Sequence, residues 1–323
     1  MTDELPAGWT TRRSTLDDVA AILAVVHASD IAAIGEPDFS SEEVVEILTA
    51  PNHDMERDSW LALDGAGRIV GWAYLDNNLR SERDIIEAYV HPEYGRPAQA
   101  HLLGLAMARV AERAGEFGYP QLTARAGAIA AETHYVELLR RAGFEFIKRY
   151  ARMQRTLTGQ ERPPDLPAGI AIRPVRHDDD AEMRTFHRIL ETAFSDLPDY
   201  LPFDYDAYRE RLAAMPRITW DEWFIAEVDG VPAGILQSAD QSLEMNEGWV
   251  KNLAVAKEFR GRGVGALLLR TAFAAYAGKG RVSAGLGVDM TNPTGAYLLY
   301  ESVGMRAAYE ADIYERTIAA APA

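Results

Sequence analysis

The sequence predicts a mixed α/β protein, in the α+β sense of sheets flanked by helices, built as two similar halves in tandem. Three observations carry this expectation. At about 150 residues per domain, 323 residues suit two domains. Gly8-Trp9-Thr10-Thr11-Arg12, followed by Asp17-Asp18, recurs 161 positions later as Gly169-Ile170-Ala171-Ile172-Arg173, followed by Asp178-Asp179. Ala142-Gly143-Phe144 and Arg155-Thr156-Leu157 recur at the same spacing as Val303-Gly304-Met305 and Arg316-Thr317-Ile318. Between these anchors the offset drifts, to 163 at Trp60 and Gly71 against Trp223 and Gly234, and to 165 where strands end at Val90 and Val255. Small insertions in surface loops produce such a drift. Third, strand and helix patterns mix in the same order within each half.

Each half opens on a short strand and a helix, over residues 17–28 and 179–194. A second helical stretch follows, over residues 41–48 and 205–215. Two strand-like runs separated by a glycine-containing turn come next, at 60–63 and 69–72, then at 223–226 and 231–236. A further strand (85–90 and 249–255) leads into a helix with apolar spacing such as Leu269, Phe273 and Tyr276. A strand, a helix and a last strand close the half. Gly159, Pro163, Pro164 and Pro167 discourage regular structure, so the sequence divides into residues 1–157, a linker at 158–168, and residues 169–323.

With 33 basic against 49 acidic residues the net charge is −16, the wrong sign for a nucleic-acid or anionic-membrane binder. There is no cysteine, which excludes disulfides, zinc ribbons, iron–sulfur clusters and a thiol nucleophile. His91 and His101 lack a third ligand at suitable spacing, so no metal site is expected. No apolar stretch approaches the roughly 18 residues of a membrane span, and residues 1–11 do not read as a signal peptide. The expectation is a soluble cytoplasmic protein, monomer or homodimer.

The second half carries the chemistry. After the strand at 249–255, Arg260-Gly261-Arg262-Gly263-Val264-Gly265-Ala266 opens a helix. Glycines let backbone N–H groups converge on an anion, and a helix N-terminus adds its dipole, which suits a diphosphate. Alone the segment is ambiguous. Gly261, Gly263 and Ala266 fit a dinucleotide pattern, but no acidic residue follows about 20 positions on. A Walker loop fails for want of Gly-Lys-Ser/Thr, and a plain glycine turn into a helix remains open. Downstream, Asn292, Ala296, Tyr300 and Gly304 stand at regular four-residue spacing on a segment read as a helix starting near Pro293.

Together these segments resemble the GCN5-related N-acetyltransferase (GNAT) superfamily. Arg260, Gly263 and Gly265 match its acyl-CoA loop R/Q-x-x-G-x-G/A, and Asn292 to Gly304 match its N-x-x-x-A-x-x-x-Y-x-x-x-G element. The two motifs cover about 55 residues, and the internal repeat extends the likeness to a tandem layout. The resemblance implies two GNAT-like domains, each a mixed, mostly antiparallel sheet flanked by helices. It implies that the strand at Leu253, Ala254 and Val255 splays from its neighbour and pairs with pantetheine. Diphosphate would lie on the amides of Arg262, Gly263, Val264, Gly265 and Ala266, framed by Arg260 and Gly261, with Asn292 on the pantetheine arm. Tyr300 matches the general acid that protonates the departing thiolate.

The base is less marked. Many relatives use a glutamate on the strand equivalent to 249–255, where this chain has Trp249, so Glu247, two residues upstream on the same strand face, is the candidate. Glu244, Asp289 or a water chain are the alternatives, and a lone helical histidine such as His187 is ordinarily structural. The connection at 195–208 interleaves carboxylates with aromatics, which suits a cationic amine and equally a solvated acidic loop.

The first half reads as a retired copy. Ala98 and Ala100 replace Gly263 and Gly265, Pro97 removes an N–H, and Leu139 and Ala131 stand where Tyr300 and Asn292 do. The expectation is therefore an N-acetyltransferase using acetyl-CoA, without a metal, to acetylate a primary amine of a small molecule by direct attack. The alternatives are acetylation of a protein or peptide amine, and a CoA-binding regulatory module without turnover.

Overall fold

The computed structural model describes residues 4–195, 197, 200, 202–215, 217–240, 242–291 and 295–321. They divide into two units: Met1–Tyr150 with Tyr309–Ala323, and Ala151–Ala308. In chain order the elements are β1 (Thr10–Arg13), α1 (Val19–Ile34), α2 (Ser41–Leu48), α3 (Met55–Asp58), β2 (Ser59–Leu63), β3 (Ile69–Asp76), β4 (Arg83–Val90), α4 (Arg96–Phe117), β5 (Gln121–Ile129), α5 (Thr133–Arg141) and β6 (Glu145–Thr156). They continue as β7 (Ile170–Pro174), α6 (Asp180–Phe194), α7 (Tyr205–Ala214), β8 (Phe224–Val228), β9 (Val231–Ala239), β10 (Glu247–Val255), α8 (Val264–Gly278), β11 (Ser283–Asp289), α9 (Ala296–Ser302) and β12 (Arg306–Ala319). Among the described residues no helix is long and apolar enough to cross a membrane.

Local chemistry sets several boundaries. Ser40 and Glu43 form a reciprocal capping box at the start of α2. Asp179 accepts from the N–H groups of Ala181 and Glu182 to start α6. The short α3 has no apolar period and was not expected from the sequence.

In the first unit the strand order is β1–β2–β3–β4–β5–β12. All neighbours run antiparallel except β4 and β5, which are parallel. The helix α4 covers one face, where Ile86, Ala88 and Val90 of β4 meet Leu102 and Ala106. The other face packs on α1 and α2 through Ile22, Val26 and Val44. The second unit repeats the order as β7–β8–β9–β10–β11–β6, with β10 and β11 parallel. Here α8 packs on one face and α6 with α7 on the other. Gly71 and Gly234, matched in the repeat, occupy the same place: an added Cβ would meet Leu102 at 2.9 Å or Leu268 at 3.2 Å, so each glycine lets the covering helix close on the sheet.

The units differ from the sequence division at 158–168 by an exchange of final strands. Residues 151–156 of β6 belong to the second unit, whose core includes Ala151, Met153 and Leu157. Residues 309–319 of β12 belong to the first, where Tyr314 is buried and Arg125 binds Glu315 at 2.6 Å. The repeat spacing identifies equivalent strands but carries no information on which sheet each joins.

Candidate active site

In the second unit the parallel pairing of β10 with β11 runs from Glu247–Ser283 to Trp249–Gly285 and stops there among the described residues. From Asn252 to Val255 the strand pairs with β9, after a bulge that takes Lys251 out of register. The two parallel strands therefore part at the segment expected to splay, leaving the β11-facing edge of Leu253, Ala254 and Val255 open to an extended ligand.

The loop beyond β10 delivers the start of α8 to this opening. Gly261 (φ 74°) and Gly263 (φ 79°) are left-handed, and nothing lies within 4 Å of a Cβ built at either, so backbone conformation and not crowding demands glycine. Gly263 caps α8 without a side chain, and the first turn carries no acidic residue. The opening N–H groups of a helix have no intrahelical acceptor, so this end presents donors and a positive dipole to solvent. Arg260 and Arg262 are exposed beside it; Arg260 Nε donates to the Val255 carbonyl at 3.1 Å.

Gly265 marks where the parts converge. A Cβ placed there would lie 3.0 Å from Leu299, 3.7 Å from Val255 and 3.9 Å from Leu253. The cradle, the open strand and α9 thus meet at one point. Tyr300 sits on α9, 9 % exposed, and burial pushes its phenol up to about 12. It is therefore held protonated at neutral pH. The described α9 begins at Ala296, with Gly295 as its cap; Asn292 and Pro293, and with them the expected helix start and the expected Asn292 contact, lie outside the described residues.

Glu247 opens β10 opposite Ser283. It is 1 % exposed, and its carboxylate accepts from Arg152 Nη2 at 2.6 Å, Gln154 Nε2 at 3.0 Å and Ser283 Oγ at 3.3 Å. A general base must reach the proton it removes. This carboxylate is committed to a buried ion pair at the paired end of β10, so its geometry is that of a structural group. The sequence could not show this, because Arg152 lies 95 residues away. Asp289 accepts from the N–H and hydroxyl of Thr291. His187 sits against the Phe203 carbonyl at 2.9 Å among Phe203, Tyr205 and Tyr208, a packing role.

The described part of the 195–208 connection is largely engaged already. Arg184 lies over Tyr205 and Arg211 over Phe203, each at 4.2 Å, while Tyr205 donates to Asp180 and Tyr200 to Glu191. Ser195, Leu197, Tyr200 and residues 202–208 are described; the remainder is not.

The equivalent place in the first unit is plugged. Pro97 occupies the opening turn of α4, and Gln99, 5 % exposed, donates from that turn to the Ala88 carbonyl of β4 at 2.9 Å. Among the described residues no group of three or more His, Cys, Asp or Glu could hold a metal.

Residues 219–306 match the acetyltransferase (GNAT) domain family. The chain is 28% identical over 259 residues to a mycothiol acetyltransferase of Streptomyces coelicolor, covering 80% of this chain and 78% of that protein. Among solved structures, a GCN5-related N-acetyltransferase from Sphaerobacter thermophilus superposes with a TM-score of 0.84 at 23% identity, covering 99% of this chain and 98% of that one. A tandem GNAT protein from the clavulanic acid biosynthesis pathway superposes with a TM-score of 0.70 at 16% identity, covering 98% and 99%. At these identities the two structural matches speak to the fold alone.

Proposed function

We propose, from the match of residues 219–306 to the acetyltransferase (GNAT) domain family, that the second unit moves an acetyl group from acetyl-CoA to a primary amine of a small molecule, with Tyr300 as general acid. One observation carries the reading: the glycine cradle, the parted strand and the Tyr300 helix converge at Gly265. The fit to the coenzyme rests on the uncapped, acid-free first turn of α8 beside two exposed arginines. When bound, acetyl-CoA supplies an activated thioester. The amides from Arg262 to Ala266 hold the diphosphate, and the open edge of Leu253 to Val255 pairs with the pantetheine arm, to which Asn292 is assigned by its motif position. An amide near Leu253 faces the carbonyl oxygen as charge develops on it.

Tyr300 holds its proton until the C–S bond breaks and then donates it to the released thiolate, and the proton shed by the newly acylated nitrogen restores the phenol. A phenol raised to about 12 is a weak acid in the resting state, so it neither ionises early nor competes for the acceptor's proton. With Glu247 committed elsewhere, the acceptor enters as the neutral amine, a fraction on the order of 0.1% of an amine of pKa about 10.4 near neutral pH. The chain's net charge of −16 raises the local concentration of the cationic form from which that fraction is drawn.

Thiol release from acetyl-CoA across a panel of amines tests the reading. Tyr300→Phe should lower kcat on the best amine by about 10²- to 10⁴-fold with coenzyme affinity kept. Wild-type turnover in the variant would remove Tyr300 from the mechanism. Tight CoA binding with no turnover on any amine would leave a regulatory module in place of an enzyme.

A further inference from the structure

At the open edge of β10 the two faces of the strand differ in chemistry. Leu253 and Val255 pack with the α8 layer, whereas Ala254 and Ile235 of the neighbouring β9 belong to the core beneath α6 and α7. Side chains alternate along a strand, so Asn252 shares the face of Ala254 and Gln237 shares that of Ile235. The two stand opposite each other in the β9–β10 register, and Asn252 Nδ2 donates to Gln237 Oε1 at 2.7 Å. Across the bulge at Lys251, Trp249 pairs with Ala239 and returns to the same face.

This amide pair stands where the strand offers no carboxylate. Parallel pairing with β11 stops at Trp249–Gly285, so Asn252 lies just beyond the parting, next to the Leu253 amide assigned to the thioester carbonyl. Gln237 is 3 % exposed and Asn252 is half-buried. With Nδ2 engaged by Gln237, Asn252 Oδ1 makes no hydrogen bond among the described residues. The charged groups around this face already have partners. On α6, Glu191 accepts from Tyr200 and lies 3.7 Å from His187. Past β9, Asp240 accepts from Thr219 at 2.8 Å, and the Arg152 guanidinium lies over the Trp249 ring at 4.8 Å. Lys251 is exposed at the bulge.

We propose that Asn252 orients the acceptor amine, its Oδ1 accepting one amine N–H beside the thioester, and that Gln237 is the positioning residue that holds the Asn252 amide in that orientation. The assignment rests on the acetyl-transfer reading of this unit. A hydrogen bond from one N–H fixes the nitrogen lone pair relative to the thioester carbon. As the C–N bond forms the nitrogen gains positive charge, so its bond to Oδ1 becomes charge-assisted and strengthens toward the transition state. The amide does not act as a base. The nitrogen's proton still passes to the Tyr300 phenol, whose own proton the departing thiolate has taken.

Thiol release from acetyl-CoA is measured for wild type and variants with benzylamine, glycinamide and cadaverine from pH 6 to 10, with acetyl-CoA affinity by calorimetry and melting recorded for each protein. Asn252→Ala should lower kcat on the best amine by about 10- to 100-fold, with coenzyme affinity and melting temperature kept. Gln237→Met should lower kcat severalfold by freeing the Asn252 amide. Asn252→Asp keeps an acceptor oxygen in place, with the Gln237 amide turned to donate, and should turn over faster than Asn252→Ala. Its carboxylate should also give kcat/KM a plateau near neutral pH that wild type lacks, a change that a merely structural residue would not produce. Wild-type kcat in Asn252→Ala, or Asn252→Asp no faster than Asn252→Ala, overturns the proposal. So does a loss of acetyl-CoA affinity in Asn252→Ala that matches its loss of turnover. No turnover of any amine by wild type overturns the acetyl-transfer reading and this assignment together, whereas turnover that the variants leave unmoved overturns this assignment alone.

Discussion

Replacing Arg152 by methionine isolates the cost of the buried pair under β10. The guanidinium and the Glu247 carboxylate meet at 2.6 Å with side chains 8 % and 1 % exposed, so neither charge is solvated. Removing one partner of such a pair costs about 3–5 kcal/mol, because the remaining charge is left desolvated. Gln154 and Ser283 still donate to Glu247, which favours the low end, about 3 kcal/mol. At about 2–4 °C per kcal/mol for a unit of this size, Arg152→Met should lower Tm by about 6–12 °C. The double variant Arg152→Met/Glu247→Met removes both charges and should recover most of that loss. Calorimetric melting of the two variants and of Glu247→Gln, with pH–rate profiles for Glu247→Gln, forms the assay. An Arg152→Met loss below about 1 kcal/mol would refute the ion-pair account. So would a Glu247→Gln protein that melts like wild type but loses the acidic limb of its profile, since that would restore Glu247 as the base.

Gly263→Asp forces a side chain into a left-handed cap and sets a negative charge at the α8 N-terminus. Equilibrium dialysis should show acetyl-CoA binding lost, whereas Ala98→Asp in the first unit should leave coenzyme affinity unchanged; equal harm would contradict the division of roles. If the acceptor enters neutral, kcat/KM for the amine should climb with pH toward the amine's own pKa. A plateau beginning near pH 5 would instead reveal an enzymic carboxylate base. The Glu87 carboxyl, raised by burial from about 4.5 to about 8, binds a proton in the folded state that the unfolded chain has released. Its contribution is thus present below about pH 4.5 and lost as pH rises through about 8. Urea denaturation from pH 5 to 9 should show wild-type stability falling relative to Glu87→Gln; a constant difference would exclude the shift.

What was legible in the sequence was whatever chemistry acts over a few residues. Gly261 and Gly263 announce left-handed backbone, and the spacing from Ala296 to Gly304 places Tyr300 on a short helix that stops at glycine. The alternation of β10 was readable, but its bulge at Lys251 was not, because side-chain pattern reports faces and not register. Long-range pairing stayed hidden. Arg155 and Arg316 are equivalent in the repeat, yet Arg155 donates to the Val303 carbonyl at the end of α9 while Arg316 donates to the Ala142 carbonyl at the end of α5. Each stabilises the last helix of the other half. The same distance hides Arg152 from Glu247, and only packing reveals that Gln99 reaches the Ala88 carbonyl.

The place of β12 beside β5 has a consequence for the order of events during synthesis. Residues 121–129 await a partner that the ribosome delivers about 190 positions later, whereas 151–308 are complete once residue 308 has emerged. The usual precedence of the amino-terminal portion is therefore inverted. The second unit can finish folding while the earlier-made unit still carries an unpaired hydrogen-bonding rim, and a ribosome stalled near residue 300 would leave that rim exposed to aggregation.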